Sequence, residues 1–302
     1  MGSVLSGAVL RCAVGLALLA TTAGRASAAD LLVKTPLDAG PWINPILIAN
    51  TQVGLGIVGH HVDYNETTSF APRFSSERGW VPGLQATVSA MAPMADITNV
   101  YVMGRISWIK GTTQYSAFAG PVTSDRSGAD MRDADVRFGK GFDVAANWMV
   151  TPYLGAGYHD WDRDFNNRSG PFGYRELYQH GYVGAGVLLQ WAPTQQLVIS
   201  ANGLAGTTFN AKMTTFFNGG ALITPQDYRL GNSAMYLAGL STDLAITREW
   251  HLNAGIDYAT WRYGASPPGT DGSLEPDSRT AIWTVKAGFG YSFYTPPVMA
   301  AK

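Results

Sequence analysis

The segment that most constrains this chain lies near its end. Between Ala281 and Phe293, the residues Trp283, Val285, Ala287, Phe289, Tyr291 and Phe293 alternate one by one with Thr284, Lys286, Gly288, Gly290 and Ser292. Successive side chains of a strand point to opposite faces, so this stretch has one large apolar face and one small or polar face. The period recurs. Residues 81–91 set Leu84, Ala86 and Val88 against Gln85, Thr87 and Ser89, and residues 99–110 set Val100, Val102, Ile106 and Trp108 against Met103, Arg105 and Ser107. Residues 135–145 set Val136, Phe138, Phe142 and Val144 against Arg137, Gly139, Gly141 and Asp143; residues 251–261 set Leu252, Ala254, Ile256 and Tyr258 against Asn253, Gly255 and Asp257. Blurrier alternation runs through residues 51–64, 153–164, 177–190, 197–210 and 233–246. Lys140 falls on the apolar side of its segment, where a bulge or a side chain reaching for an interface would accommodate it.

These segments make about ten strands, each long enough to cross a bilayer at a tilt, which takes roughly 9–11 residues. Past residue 28 no run of about 18 apolar residues offers a membrane helix. Charged residues are 14% of the chain, against about 25% in soluble proteins, and a formal net charge of -1 with no basic run gives no reason for a nucleic-acid partner. Residues 1–28 have the form of a signal peptide: Arg11 precedes the apolar stretch 12–20, and Ala26-Ser27-Ala28 is a small-x-small cleavage site. The only cysteine, Cys12, lies inside that segment, so the remainder is expected to hold no disulfide and no thiolate-bound metal.

The connections alternate in length. Short ones fall near residues 92–98, 147–151, 191–194 and 247–250; long ones fall near 65–78, 117–131, 164–176, 211–228 and 264–278. Short turns on the periplasmic side and long loops outside characterise a transmembrane barrel. Trp148, Trp191 and Trp250 sit at short turns while Trp80, Trp108, Trp161 and Trp261 lie towards the long loops, the arrangement of two interfacial girdles. The expected fold is therefore all-β: a single antiparallel up-and-down transmembrane β-barrel over residues 49–293. A Pro-containing tail over 29–48 (Pro36, Pro41, Pro45) precedes it and a tail over 294–302 follows.

Ala29-Asp30-Leu31-Leu32-Val33-Lys34, the stretch from Ser76 through Trp80 to Gly83, Gly139-Lys140-Gly141-Phe142, the stretch from Thr151 through Pro152 to Tyr158, and Gly288-Phe289-Gly290-Tyr291-Ser292-Phe293 together resemble the broad alphaproteobacterial outer-membrane β-barrel, porin-like family. The resemblance covers most of the chain after the signal and rests on architectural motifs. It implies a Gram-negative outer-membrane location, with outer-membrane lipid, lipopolysaccharide and the barrel-insertion machinery as partners. The nine residues after Phe293 depart from the usual terminal aromatic.

Arg105, Arg137, Asp143, Asp243, Asp257 and Lys286 fall on expected lumen faces, as a salt-bridge network that stiffens the barrel or as a lining that selects solutes. Lumenal glycines (Gly139, Gly141, Gly155, Gly157, Gly184, Gly186, Gly288, Gly290) would leave room for water, yet small barrels are filled by side chains, and packing is favoured over conduction. His159 and His180, nearly level on neighbouring strands, mark a lumenal polar site; His60 or His61 could approach them to hold zinc, but no acidic second shell is evident and no metal or other cofactor is assigned. His159 faces the lumen and Asp160 the other way, so the two do not form a dyad. Asp130, Asp133 and Asp135, interleaved with Arg132 and Arg137, read as a solvated, charge-balanced loop rim. An omptin-like protease would need an Asp–His pair near the outer rim, and Asp227 stands there without a histidine. The expectation is a non-enzymatic barrel, structural or narrowly porin-like; a surface adhesin binding an unidentified ligand through its loops, or a hydrolase acting on protein or on lipid A, are the alternatives.

Overall fold

The computed structural model describes residues 44–68, 74–117, 123–165, 174–217, 225–269 and 272–295. The signal-peptide reading with Cys12, residues 29–43 of the N-terminal tail and residues 296–302 of the C-terminal tail lie outside the described residues. A single helical turn, α1 (Pro45–Ala49), leads into β1 (Gln52–Thr67), β2 (Ser75–Met94), β3 (Ile97–Ala117) and β4 (Thr123–Lys140). There follow β5 (Phe142–Ala145), β6 (Trp148–Asp164), β7 (Tyr174–Trp191), β8 (Leu197–Phe217), β9 (Gln226–Arg229), β10 (Ala234–Ala245), β11 (Trp250–Tyr263) and β12 (Asp277–Ser292). Each strand pairs antiparallel with its neighbours, and the β1–β12 and β8–β10 ladders close the sheet. Strands β4 and β5 are two halves of one stave, as are β9 and β10, so the barrel has ten staves.

The outer face explains the alternation. Leu55, Ile57, Leu84, Ile106, Val136, Leu154, Leu240 and Phe289 all point outwards and are exposed, which for a folded chain in water would be an aggregation surface and in a bilayer is the lipid contact. Aromatic side chains bound this band. At the turn end Trp148 stacks on Trp191 at 5.6 Å and Trp250 meets Tyr291 edge-on at 5.2 Å. At the loop end Trp80, Trp108, Tyr158, Tyr236 and Trp283 are exposed, and Tyr258, half-buried, lies against Trp283 at 4.7 Å. Along β1 the two girdles sit at the levels of Val53, opposite Tyr291, and His61, opposite Trp283. Eight steps of about 3.3 Å, tilted by about 40°, span roughly 20 Å, close to the apolar band of about 25 Å expected of such barrels.

Three expectations need correction. Trp161 and Trp261 are not in a girdle; they share parity with the inward residues of their strands and are fully buried in the lumen. The strands also run further than the apolar alternation, up to 21 residues in β3 and β8, so half of the stretch 65–78 and most of 117–131, read as loop, are paired ladder. There the outward positions turn polar (Asp63, Asn65, Arg78, Lys110, Arg132) because they stand above the girdle in water, and the hydrophobic period vanishes although the hydrogen bonding continues. Finally, the lumenal glycines do not open space. A Cβ on Gly157 would lie 2.5 Å from the Tyr182 ring and one on Gly186 2.5 Å from Tyr153, so these glycines admit large rings that fill the barrel.

Lys140 ends β4, where the stave breaks at Gly141; its ammonium reaches to the turn end, donates to the Thr98 carbonyl at 3.0 Å and lies over the Phe142 ring.

Candidate functional site: the layered lumen

The inward side chains form layers, and their order decides what the lumen can do. At the turn end, α1 sits in the barrel mouth. Asn44 caps it by accepting from Ile46 N at 3.0 Å, and Pro45 at the first position supplies a φ already suited to a helix. Ile46 is completely buried among Met91, Tyr101, Met103, Met149, Tyr153 and Leu188. The turn is tied to the wall: Gln52 Nε2 donates to Ala49 O at 2.6 Å, Ser292 Oγ to Ile48 O at 3.1 Å, and Asn50 and Gln190 exchange side-chain hydrogen bonds of 2.7 and 3.0 Å.

Above this plug lies a small polar cavity of about 210 Å³, bordered by Gln52, Gln85, Asn202, Asp243, Asn253 and Lys286. Asp243 is buried and accepts from Gln52 Nε2 at 2.9 Å and from His251 Nδ1 at 2.6 Å, away from the other expected network members. Asp143 is not in the lumen: past the break at Gly141 the alternation is lost, and its exposed carboxylate accepts from Asn44 and Asn99 at the rim.

The charge ring stands over the cavity. Arg105 donates to Asp135 at 2.5 Å and reaches Asp257 at 3.5 Å; Lys286 donates to the same Asp257 oxygen at 2.5 Å. Arg137 pairs with Asp135 at 3.4 Å and stacks over Tyr153. Arg105 on β3 and Asp257 on β11 are four staves apart, so the ring nearly bridges the lumen. Arg105, Arg137, Asp257 and Lys286 are thus brought together. Their missing partner was Asp135, and it was assigned to a loop rim because the outward Asp130 and Arg132 beside it look solvated. Asp133 needs the same correction: both face inward on β4, which runs unbroken from Thr123 to Lys140.

Next comes the histidine layer. His159 and His180 are directly opposed across β6 and β7, with ring centroids 5.2 Å apart. His159 Nδ1 donates to Asp133 Oδ1 at 2.6 Å, His180 Nδ1 pairs with the Tyr263 hydroxyl at 2.6 Å, and the Trp261 ring lies 4.9 and 5.1 Å from the two imidazoles. His60 is buried facing the lumen, whereas His61 points outwards, edge-on to Trp80. Among the described residues no three His, Cys, Asp or Glu side chains stand together as metal ligands. Ser107 Oγ donates to Asp133 Oδ2 at 3.2 Å, so the carboxylate stands between hydroxyl and imidazole. A nucleophile must touch the base that takes its proton, and in this order Ser107 does not. Asp160 faces outwards and accepts from Gln179.

Over the histidines the lumen is packed with aromatic and sulfur side chains: Tyr64, Met131, Trp161, Tyr178, Met213 and Tyr263 are all essentially buried. The loop end is closed by a charge cluster that the sequence analysis did not single out. Arg163 is 1% exposed; it donates to Glu77 and Glu176, each at 2.7 Å, and lies 3.5 Å from Glu66. Its guanidinium is wrapped by the rings of Tyr64, Trp161, Phe165 and Tyr178. Arg163 thus gathers three glutamates, and the Tyr178 hydroxyl, which donates to Glu275, holds a fourth beside them. These groups stand above the loop-end girdle, and burial with the neighbouring Glu66 and Glu77 pushes the Glu176 carboxyl up to about 7 against the pull of Arg163. Burial and the neighbouring Glu66 and Glu176 raise Glu275. Four Glu drawn from β1, β2, β7 and the stretch before β12 carry no local motif, so only the register unites them.

No family model matches the chain, and no curated protein matches it. Solved structures do. The outer membrane protease OmpT of Escherichia coli superposes with a TM-score of 0.56 at 7% identity, covering 80% of this chain and 96% of that one. The β domain of the Bordetella autotransporter BrkA gives 0.41 at 12% identity over 80% and 100%, and the toluene transporter TodX of Pseudomonas putida 0.37 at 11% over 88% and 93%. At such identities the likeness speaks for architecture alone: the chain folds as a closed, ten-stave antiparallel β-barrel of the kind found in Gram-negative outer membranes.

Proposed function

We propose that this protein resides in the outer membrane as a closed, non-enzymatic support of the alphaproteobacterial, porin-like type, whose working surface is its loop end rather than its lumen. One observation carries the reading: the lumen is sealed twice, by Ile46 of α1 at one end and by the Tyr64–Trp161–Tyr178 packing with the Arg163–glutamate cluster at the other. The polar cavity between the seals is about 210 Å³, too small to be a conduit without movement of both. Proteolysis of the kind named for OmpT finds no support, because all five histidines of the chain are described and none stands above the loop-end girdle. The Ser107–Asp133–His159 order, with the carboxylate between hydroxyl and imidazole, supports the non-enzymatic reading. A barrel with this surface would bind through its loops, with lipopolysaccharide around its flank and the barrel-insertion machinery as its assembly partner.

Solute flux tests the reading. Vesicles carrying the refolded protein should swell no faster in a small sugar than protein-free vesicles. Swelling that rises with protein density would make the lumen a path and overturn it.

A further inference from the structure

Above the loop-end girdle the outward face carries basic side chains on most staves, and on one flank they are neutralised. Arg78 pairs with Asp63 at 3.2 Å, Lys110 and Arg132 share Asp130 at 3.2 and 3.6 Å, and Arg175 pairs with Asp162 at 2.6 Å. The flank built by β8, β9, β11 and β12 is different. There Lys212 is the direct cross-strand partner of Arg229, and Arg262 of Arg279. All four side chains are exposed, and none has an ion-pair partner among the described residues. Like charges placed opposite each other on adjacent strands repel, so each pair is unfavourable unless an anion joins it; the Gly231–Gly264 bridge sets Arg229 several residues further along its stave than Arg262 on the next.

The surroundings say which anion. The carboxylates on the same outward faces, Asp227 and Asp277, lie two residues further from the membrane, and they are already held by Thr214 Oγ1 at 2.6 Å and Ala265 N at 2.9 Å. On the membrane side of Arg262 and Arg279 come only Thr260, Ala281 and then the girdle pair Tyr258–Trp283. Acids therefore face the water and bases face the lipid. Arg279 Nη2 leans down to the Tyr258 hydroxyl at 3.5 Å, towards the girdle. Four residues separate Arg262 from Tyr258, which puts the guanidinium pair about 10 Å above the aromatic belt along a tilted strand, the depth of lipid headgroups.

We propose that Lys212, Arg229, Arg262 and Arg279 form a binding patch for the phosphate groups of a phosphorylated glycolipid in the outer leaflet. A headgroup phosphate bridges the two bases within each pair, while the acyl chains lie on the apolar face below, over Tyr236, Leu240 and Ile256. Arginine suits this role because its planar fork meets phosphate oxygens two at a time. The inference rests on the outer-membrane reading above.

The test compares the refolded protein with the variant carrying Lys212→Gln, Arg229→Gln, Arg262→Gln and Arg279→Gln. Phosphorylated lipid A is titrated into phosphatidylcholine vesicles holding each, with thermal unfolding followed by gel mobility. The wild-type midpoint should rise with lipid A, and the variant should need on the order of tenfold more lipid, or higher, for the same rise. A second variant, with Arg78, Lys110, Arg132 and Arg175 changed to Gln on the paired flank, should respond as wild type. Dephosphorylated lipid A should remove the difference, and inorganic phosphate alone should shift neither protein. Equal responses from the wild type and the β8–β12 variant, an equal loss in the paired-flank variant, or a full response to dephosphorylated lipid would overturn the site. Failure of the wild type to insert, seen as no heat-dependent mobility shift, would instead refute the outer-membrane reading itself.

Discussion

Arg163 is the side chain on which the loop-end seal depends, and its removal should have a pH-dependent cost. In the Arg163→Met variant the aliphatic stem is retained between the rings, but Glu77, which is fully buried, and Glu176 each lose a 2.7 Å hydrogen bond and the guanidinium charge that pairs with them. Breaking a buried pair and leaving its carboxylates uncompensated costs about 3–5 kcal/mol. Protonation can relieve that cost. Glu176 already has its carboxyl raised to about 7, and without Arg163, which lowers it, it moves higher. A carboxyl whose folded-state pKa lies above its unfolded value binds its proton first in the folded state. Its favourable contribution is therefore full below the unfolded value of about 4.5 and is lost as pH rises through the folded one. The deficit of the variant should be largest at pH 8 and shrink towards pH 5. Amide exchange at the loop-end residues of β6 and β7 measures it: a cost of about 3–5 kcal/mol corresponds to exchange faster by roughly a hundredfold to a few thousandfold at pH 8, after correction for the intrinsic rate. Exchange unchanged at pH 8, or a ratio to wild type that is the same at pH 5, would refute the reasoning.

Other parts of the account yield separate expectations. Asp257→Ala strands Lys286 and Arg105 and should lower stability to urea by about 3–5 kcal/mol, whereas Asp257→Leu combined with Lys286→Met should recover much of the loss; equal losses would mean the ring contributes nothing as a pair. Ile57→Arg, at the centre of the lipid band and 66% exposed, should cost about 2–4 kcal/mol in bilayers, and a neutral result would deny that this face meets lipid. Gly157→Val must displace the Tyr182 ring and should cost about 1–3 kcal/mol, while Gly203→Ala, whose nearest atom would be 3.9 Å away, should be almost silent in the same unfolding assay.

What the sequence revealed and what it hid follow from where each residue meets lipid. The staves were legible wherever the outer face touches acyl chains, because Trp283, Val285 and Phe289 must then be apolar while Lys286 need not be. They were not legible above the girdle, where outward Arg132 and inward Asp133 are both charged and no period survives. Trp161 was misplaced for the same reason: an aromatic residue near a loop looks alike whether it faces headgroups or lumen, and only its parity with His159 distinguishes the two. Arg105, Arg137, Asp257 and Lys286 could be placed inside by parity alone. That Arg105 meets Asp257, 152 residues away, depends on barrel closure and on the register of every ladder between them, which no local pattern encodes. The Arg163–glutamate cluster was hidden by the same dependence.

The central claim is that the lumen is closed at both ends, and single-channel recording in a planar bilayer tests it most directly. The wild-type protein, and a variant in which Ile46→Gly and Asn50→Gly loosen α1, should both give a flat baseline, since the Trp161–Tyr178 packing still blocks the path. Discrete current steps from the wild-type protein would contradict the claim; steps from the α1 variant alone would show that the loop-end seal does not hold.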